Sequence, residues 1–187
     1  MAIIRSVIRG VGAYLPKRIM TNDDLARLVD TTDEWIRERT GIEQRHIAEE
    51  GELTSDLGIA AARQALVRSG IDPIDIDLVI CATATPDRTF PATAVRIQAG
   101  LGVTKGAGFD VQAVCSGFIF ALNIADNFIK TGQSKRALVV DNDRFYVEFL
   151  SEILGQEGYE ITKAYDGMEA MEFLDQEIPL VRYHHER

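Results

Sequence analysis

Hydrophobic positions along the chain fall into two alternating kinds of run. Short apolar segments at Ile3 to Gly10, Asp77 to Ala82, Phe109 to Ala113 and Ala137 to Val140 predict strands, and Tyr159 to Ala164 predicts a further one. Between them the period changes to that of helices. Thr54 or Ser55 begins an Ala-rich helix that Gly70 can end, and Thr21 with Asp24 and Thr31 with Glu34 have capping-box spacing. Pro91 suits a first helical turn. After Cys115, apolar residues at Phe118, Ala121, Leu122, Ala125 and Phe128, widened by Ile119, Ile124 and Ile129, predict a helix that is largely buried. Tyr146, Val147, Leu150, Ile153 and Leu154 form another helical face, and Asp166 with Glu169 caps a last helix. This alternation of strand and helix predicts an α/β architecture with a mainly parallel sheet.

Composition narrows the class. A chain of 187 residues is enough for one sizeable domain, or one and a fragment. Hydrophobic residues make up 46% and charged ones 26%, close to the average of globular proteins, and no apolar stretch approaches the roughly 18 residues of a membrane span. Met1-Ala2-Ile3-Ile4-Arg5 lacks the basic region and apolar core of a secretory signal, so a cytoplasmic location is expected and no membrane partner. Cys81 and Cys115 are too few for a disulfide framework, and no Cys/His cluster has zinc-ligand spacing. A formal charge of −9 argues against a nucleic-acid partner, which requires a basic stripe.

Cys115 is the candidate for chemistry. It stands between a short apolar strand and an apolar helix in the run Gly108-Phe109-Asp110-Val111-Gln112-Ala113-Val114-Cys115-Ser116-Gly117-Phe118. Unpaired backbone N–H groups and the positive end of the macrodipole favour the thiolate at a helix N-terminus. Burial of that helix against a sheet would hold the thiol in a fixed, water-poor position, as covalent catalysis requires. The alternative reading is a small buried hydrophobe.

Several separated runs then carry a resemblance over residues 1–140. They are Gly12-Ala13-Tyr14-Leu15-Pro16, Thr21-Asn22-Asp23-Asp24-Leu25, Asp30-Thr31-Thr32-Asp33-Glu34-Trp35-Ile36, Arg39-Thr40-Gly41-Ile42, Ala82-Thr83-Ala84-Thr85-Pro86-Asp87, Phe90-Pro91-Ala92-Thr93 and the Cys115 run. In order and spacing they resemble the N-terminal half of a β-ketoacyl-acyl-carrier-protein synthase III, a condensing enzyme of the thiolase fold. The resemblance implies an acyltransferase that initiates fatty acid synthesis. Cysteine takes an acyl group from acyl-CoA, and a malonyl thioester on acyl carrier protein then loses carbon dioxide and condenses with it. Cys115 falls on the nucleophile position, with nearby backbone N–H groups implied as an oxyanion hole. Trp35, Arg39 and Thr31 fall where the family holds the adenine and phosphate end of CoA; without the resemblance they read as packing or solvated surface. Phe90 falls where the family lines the acyl pocket across a dimer interface, or else is plain core. The implied partners are acyl-CoA and acyl carrier protein, with a homodimer allowed, and no cofactor is required. The family's histidine and asparagine, which act on the malonyl thioester, have no match here, and His46 lies where the family places no catalytic histidine. Acyl acceptance is thus the part of the reaction expected to persist.

From Leu138-Val139-Val140-Asp141-Asn142-Asp143-Arg144 the pattern changes. Through Tyr146, Leu150, Ile153, Leu154, Gly158, Tyr159, Ala164, Tyr165, Asp166, Gly167, Glu169, Ala170 and Phe173 it resembles the start of a response-regulator receiver domain, over residues 137–180. The expected fold is therefore α/β: a thiolase-like half-fold over residues 1–137, continued over 138–187 by a β-α-β-α unit of flavodoxin-like receiver type with one more parallel strand. Receivers hold magnesium with acids at the end of the first strand; Asp141 takes the first such position and Asn142 stands where a second acid is usual, so Mg is allowed at a degenerate site. The third strand with its phosphoacceptor aspartate has no match, and phosphotransfer is not expected. Beside the condensing reading stand two alternatives: an inert chimera or scaffold, and a phosphorelay receiver fragment.

Overall fold

The computed structural model describes residues 6–141 and, beyond them, the backbone of two short strands at residues 159–161 and 181–183. The elements in chain order are β1 (Arg18–Thr21), α1 (Asn22–Ala26), α2 (Asp33–Thr40), β2 (Gln44–Ile47), α3 (Thr54–Ser69) and β3 (Leu78–Ala82). There follow α4 (Thr93–Leu101), β4 (Ala107–Val111), α5 (Gly117–Lys130), β5 (Ala137–Asp141), β6 (Tyr159–Ile161) and β7 (Val181–Tyr183).

A three-stranded parallel sheet in the order β4-β3-β5 forms the centre. Leu78-Val79-Ile80-Cys81-Ala82 is apolar at every position because β3 is covered on both faces, and each of its residues is buried. Alternation then divides the core. Leu78, Ile80 and Ala82 meet Ala121 and Ala125 of α5 on one face. Val79 and Cys81 meet Ala62 and Leu66 of α3 and Ala94 and Ile97 of α4 on the other. Each large aliphatic side chain so buried contributes roughly 1.5–3 kcal/mol, which makes β3 the energetic centre of the described residues. The parallel sheet agrees with the expected architecture, and the strand ranges move by only one or two residues.

Other expectations change. Ile3 to Gly10 does not form a strand in residues 6–10. This segment instead runs from Ser6, whose hydroxyl donates to Asp126 on α5, to Gly10 and Gly12, which lie against the backbone of α3 at Ala61 and Ala65. Because α5 and α3 sit on opposite faces, the segment crosses between them at the sheet's rim. β1 and β2 form an antiparallel pair that the apolar pattern does not reveal, since most of their residues are polar. The N-cap of α2 is Thr32, not Thr31: its hydroxyl accepts the Trp35 N–H at 3.1 Å. Pro91 lies outside α4, whose N-cap is Ala92.

The helix after Cys115 is half-covered rather than largely buried. Gly117, Ala121 and Ala125 are buried, whereas Ile119 and Phe120 are exposed, because the sheet covers only one side of α5 and no described residue covers the other. Beyond residue 141, β6 falls on the expected strand at 159–164, but it pairs antiparallel with β7 in a separate two-stranded sheet. Val181–Tyr183, rich in β-forming residues and not expected as a strand, supplies that partner in place of a parallel neighbour. The helices expected over 146–154 and from 166 lie outside the described residues.

Asp77 ties the sheet together at the start of β3. Its carboxylate accepts the Ser134 hydroxyl and the backbone N–H groups of Lys135 (3.1 Å) and Arg136 (3.0 Å), which fixes the turn that feeds β5. Burial pushes this carboxyl upward, but the donors from Ser134, Arg136 and Lys135 and the charge of Lys105 outweigh it and hold the group below its ordinary value. The stabilisation is therefore complete above the unfolded-state value near pH 4 and is lost as the pH falls through the lower folded-state value. Asp77→Ala should lower unfolding free energy by about 1–3 kcal/mol at pH 7, and that difference should shrink in urea titrations repeated towards pH 2. Gly106, at φ 81°, approaches the same residue so closely that a Cβ would lie 1.9 Å from the Asp77 carbonyl oxygen. Gly106→Ala should cost about 2 kcal/mol or more in the same assay, through strain and collision together.

Candidate active site

Between β4 and α5 the chain makes a single 3₁₀ turn, Val114–Ser116, closed by the Ser116 N–H donating to the Ala113 carbonyl at 3.0 Å. Val114 has φ 41°, a left-handed conformation that a β-branched residue adopts only at a cost of about 1–3 kcal/mol. This strained residue turns the chain sharply from strand to helix and places Cys115 at the foot of α5. Gly117 opens the helix against the sheet. A Cβ there would lie 3.1 Å from the Ala82 Cβ and 3.5 Å from the Asp141 Oδ2, so the close approach of the α5 start to the ends of β3 and β5 depends on the missing side chain.

Cys115 opens on a small pocket whose other walls are Ala82, Thr83, Ala84, Thr85, Val114 and Asp141. The residues 83–85 leave the C-terminal end of β3 and are held by their own hydrogen bonds. Thr83 N–H donates to the Val111 carbonyl (3.1 Å), Thr85 N–H to the Thr83 hydroxyl (3.1 Å), and the Thr54 hydroxyl to the Thr85 carbonyl (2.8 Å). Asp87, its side chain covered, extends this hold. Its Oδ1 accepts the Ser55 N–H at the start of α3, and Arg96 Nη1 lies 2.9 Å from its Oδ2. Asp110 on β4 accepts the N–H groups of Thr93 and Ala94, each at 2.8 Å, and so caps α4 in the absence of a capping side chain at Ala92.

The two thiols differ in access. Cys115 is exposed, not held in the water-poor position expected, because the outer side of α5 beside it is uncovered by described residues. Cys81 is buried in β3; burial pushes its thiol up to about 12, and the charges of Asp110, Asp141 and Asp87 act in the same direction. It stays protonated at neutral pH and is unsuited to nucleophilic work.

Trp35 and Arg39, one helical turn apart on α2, come together: the guanidinium lies 4.6 Å from the indole centroid, and the ring is half exposed. Buried Asn22 holds this helix in place. Its Nδ2 donates to Asp33 Oδ1 and to the Ile42 carbonyl, and its Oδ1 accepts from Arg45. Thr31, just before the α2 cap, has a buried hydroxyl without a hydrogen-bond partner among the described residues. Phe90 is not core: it is 86% exposed, at a cis bond to Pro91, and it does not line the Cys115 pocket. Asp141 lines that pocket, whereas Asn142 lies outside the described residues. Among the described residues no group of three metal-ligating side chains converges.

The structure thus joins Cys115 with Asp141 and Trp35 with Arg39, and it adds residues not singled out from sequence. Asp110 and Asp87 are helix anchors, and a carboxylate inside the apolar run Phe109-Asp110-Val111 was the available signal for the first. The strain at Val114 has no signal in residue type.

Known proteins resemble this chain in sequence and in fold. A sequence model of the family described as 3-oxoacyl-[acyl-carrier-protein (ACP)] synthase III matches residues 109–149, a span that includes Cys115 and runs past Ala137. The β-ketoacyl-[acyl-carrier-protein] synthase III of Rhodospirillum centenum is 63% identical over 142 residues, 76% of this chain and 44% of the relative, and that of Bradyrhizobium diazoefficiens is 59% identical over 145 residues, 78% and 44%. The crystal structure of 3-oxoacyl-[acyl-carrier-protein] synthase III from Aquifex aeolicus superposes with a TM-score of 0.70 at 48% identity, covering 74% of this chain and 44% of that one. The priming β-ketosynthase of the R1128 polyketide biosynthetic pathway gives a TM-score of 0.70 at 41% identity, covering 75% and 42%. The chain spans less than half the length of these relatives, and its N-terminal region matches the synthase III proteins in sequence and in a thiolase-like α/β fold.

Proposed function

We propose that Cys115 is the acyl acceptor of a condensing reaction of the synthase III type, which initiates fatty acid synthesis in the cytoplasm. The observation that carries this reading is an accessible thiol on a strained turn at the foot of α5, opening on a preformed pocket. Attack of the Cys115 thiolate on a thioester carbonyl forms the new C–S bond. The tetrahedral oxyanion lies near the N–H groups of the first turn of α5, which have no acceptor within the helix. Collapse expels the CoA thiolate, which takes up a proton, and leaves an acyl-cysteine. Condensation with malonyl carried on acyl carrier protein would follow. No cofactor takes part in these steps.

Trp35 offers a face for the adenine of CoA, Arg39 a charge-assisted partner for its phosphates, and the Thr31 hydroxyl, without a partner among the described residues, a further hydrogen bond. Phe90, exposed beside the loop that leads from the pocket to α4, is proposed to line the acyl site within a homodimer. For residues 137–180 the receiver-like reading rests on the residue pattern, with a magnesium ion at Asp141 and Asn142 as its corresponding site. β5 would then be shared by both patterns.

Incubation of the protein with acyl-CoA should add one acyl mass to the peptide that contains Cys115 and none to Cys115→Ser. A folded protein whose Cys115 peptide stays unmodified would remove the proposal. Trp35→Ala should raise the acyl-CoA concentration for half-maximal acylation about tenfold, as expected for loss of one base-stacking surface. Its acylation by an acyl N-acetylcysteamine thioester, which lacks the nucleotide, should not change; equal losses with both donors would assign Trp35 to folding instead.

A further inference from the structure

Val114 takes a conformation that the described chain otherwise gives to glycine. It is the one non-glycine residue described with a positive φ, at 41°, whereas six glycines occupy that region, three of which, Gly41, Gly70 and Gly102, end α2, α3 and α4. A glycine at 114 would make the same turn without strain. Packing does not account for the valine side chain either. It is 67% exposed and belongs to neither apolar cluster of the core among the described residues. The side chain instead lines the pocket on which Cys115 opens, together with the small residues Ala82, Thr83, Ala84 and Thr85. A strained backbone thus carries an exposed apolar group to the wall of a pocket, next in sequence to an exposed thiol.

We infer that Val114 shields the acyl-cysteine: its isopropyl group lies against the acyl group on Cys115 and keeps water from the thioester carbonyl. The inference rests on the reading of Cys115 as the acyl acceptor. Its need is chemical. On an exposed cysteine an acyl group faces hydrolysis, in which water adds to the carbonyl carbon, the sulfur leaves with the bonding pair and takes up a proton, and a carboxylic acid forms. An intermediate that waits for a second substrate is lost by that route. An apolar group beside the carbonyl opposes the loss, because the acyl chain and the isopropyl group bury each other's surface and the isopropyl group offers no hydrogen bond to an attacking water. A β-branched side chain suits this role, since its two methyl groups cover a neighbour with little rotamer freedom to lose.

The lifetime of the acyl-cysteine tests it. The full chain is acylated with butyryl-CoA, freed of donor by gel filtration, and followed by intact mass for loss of the butyryl group at a single neutral pH, with Cys115→Ser as the blank. Loss from the folded protein should be about fivefold or more slower than from the same acylated protein unfolded in urea. In the folded state Val114→Ala and Val114→Gly should speed it about three- to tenfold, and Val114→Ile should keep the wild-type rate. The melting temperature of Val114→Gly should equal or exceed that of the wild type, since strain is relieved and little packing is lost. Loss within twofold of the wild type in Val114→Ala and Val114→Gly, with Cys115 still acylated, would overturn the shielding and leave the acyl-acceptor reading standing. A melting temperature several degrees lower in Val114→Gly would assign the side chain to the fold and overturn the shielding equally. Failure of butyryl-CoA to acylate Cys115 in the folded wild type would overturn both readings. Should the variants at 114 not fold, the wild-type comparison decides: equal loss from folded and unfolded protein counts against the inference.

Discussion

The burial of β3 on both faces is the constraint from which the rest of the described structure follows. A parallel strand covered on two sides must be apolar at every position, and Leu78 to Ala82 meets that demand with small residues at its C-terminal end. That taper matters for the site. Ala82 leaves room for the Gly117 backbone to close on the sheet, and the pocket opens immediately beyond it. Larger side chains at either position would separate the foot of α5 from the strand ends and remove the surface on which Cys115 stands.

Polar groups around this core act as anchors rather than as solvent contacts. Asp77 and Asp110 each accept two backbone N–H groups and Asp87 one, from the turn before β5, the start of α4 and the start of α3 respectively. Helix starts and strand turns otherwise leave donors without partners, and a carboxylate supplied from elsewhere in the sequence satisfies them while fixing the angle of the element. Asn22 anchors α2 with the opposite polarity, its amide donating to the Asp33 carboxylate and the Ile42 carbonyl, and thereby holds the Trp35 and Arg39 pair at the surface. The architecture of the site is therefore set by long-range side-chain to backbone bonds as much as by apolar packing.

Two separate features of the chain meet at Cys115. The turn at Val114 stores conformational strain, which fits a residue whose role is to present its neighbour rather than to stabilise the fold. Asp141, in contrast, reaches the thiol's pocket from the end of β5. The position of the Cys115 thiol and the walls of the pocket it faces are thus specified by separate parts of the chain.

Residue pattern alone determined the parallel α/β class, three of the central strands to within two residues, the capping of α1, the span of α3 and the placement of Cys115 between β4 and α5. These follow from local periodicity, caps and apolar runs, which are properties of neighbouring residues. Tertiary structure decided the others. The segment before Gly12 was diverted across the sheet's rim, since strand-like composition cannot name its partner. Among the described residues the outer side of α5 stayed uncovered, because periodicity shows that a face is apolar and not what lies against it. Asp141 came to share a pocket with Cys115 only through the register of β5 beside β3, which brings together residues 26 positions apart in sequence. A charge acts through distance in space, and that distance exists only once the sheet has formed.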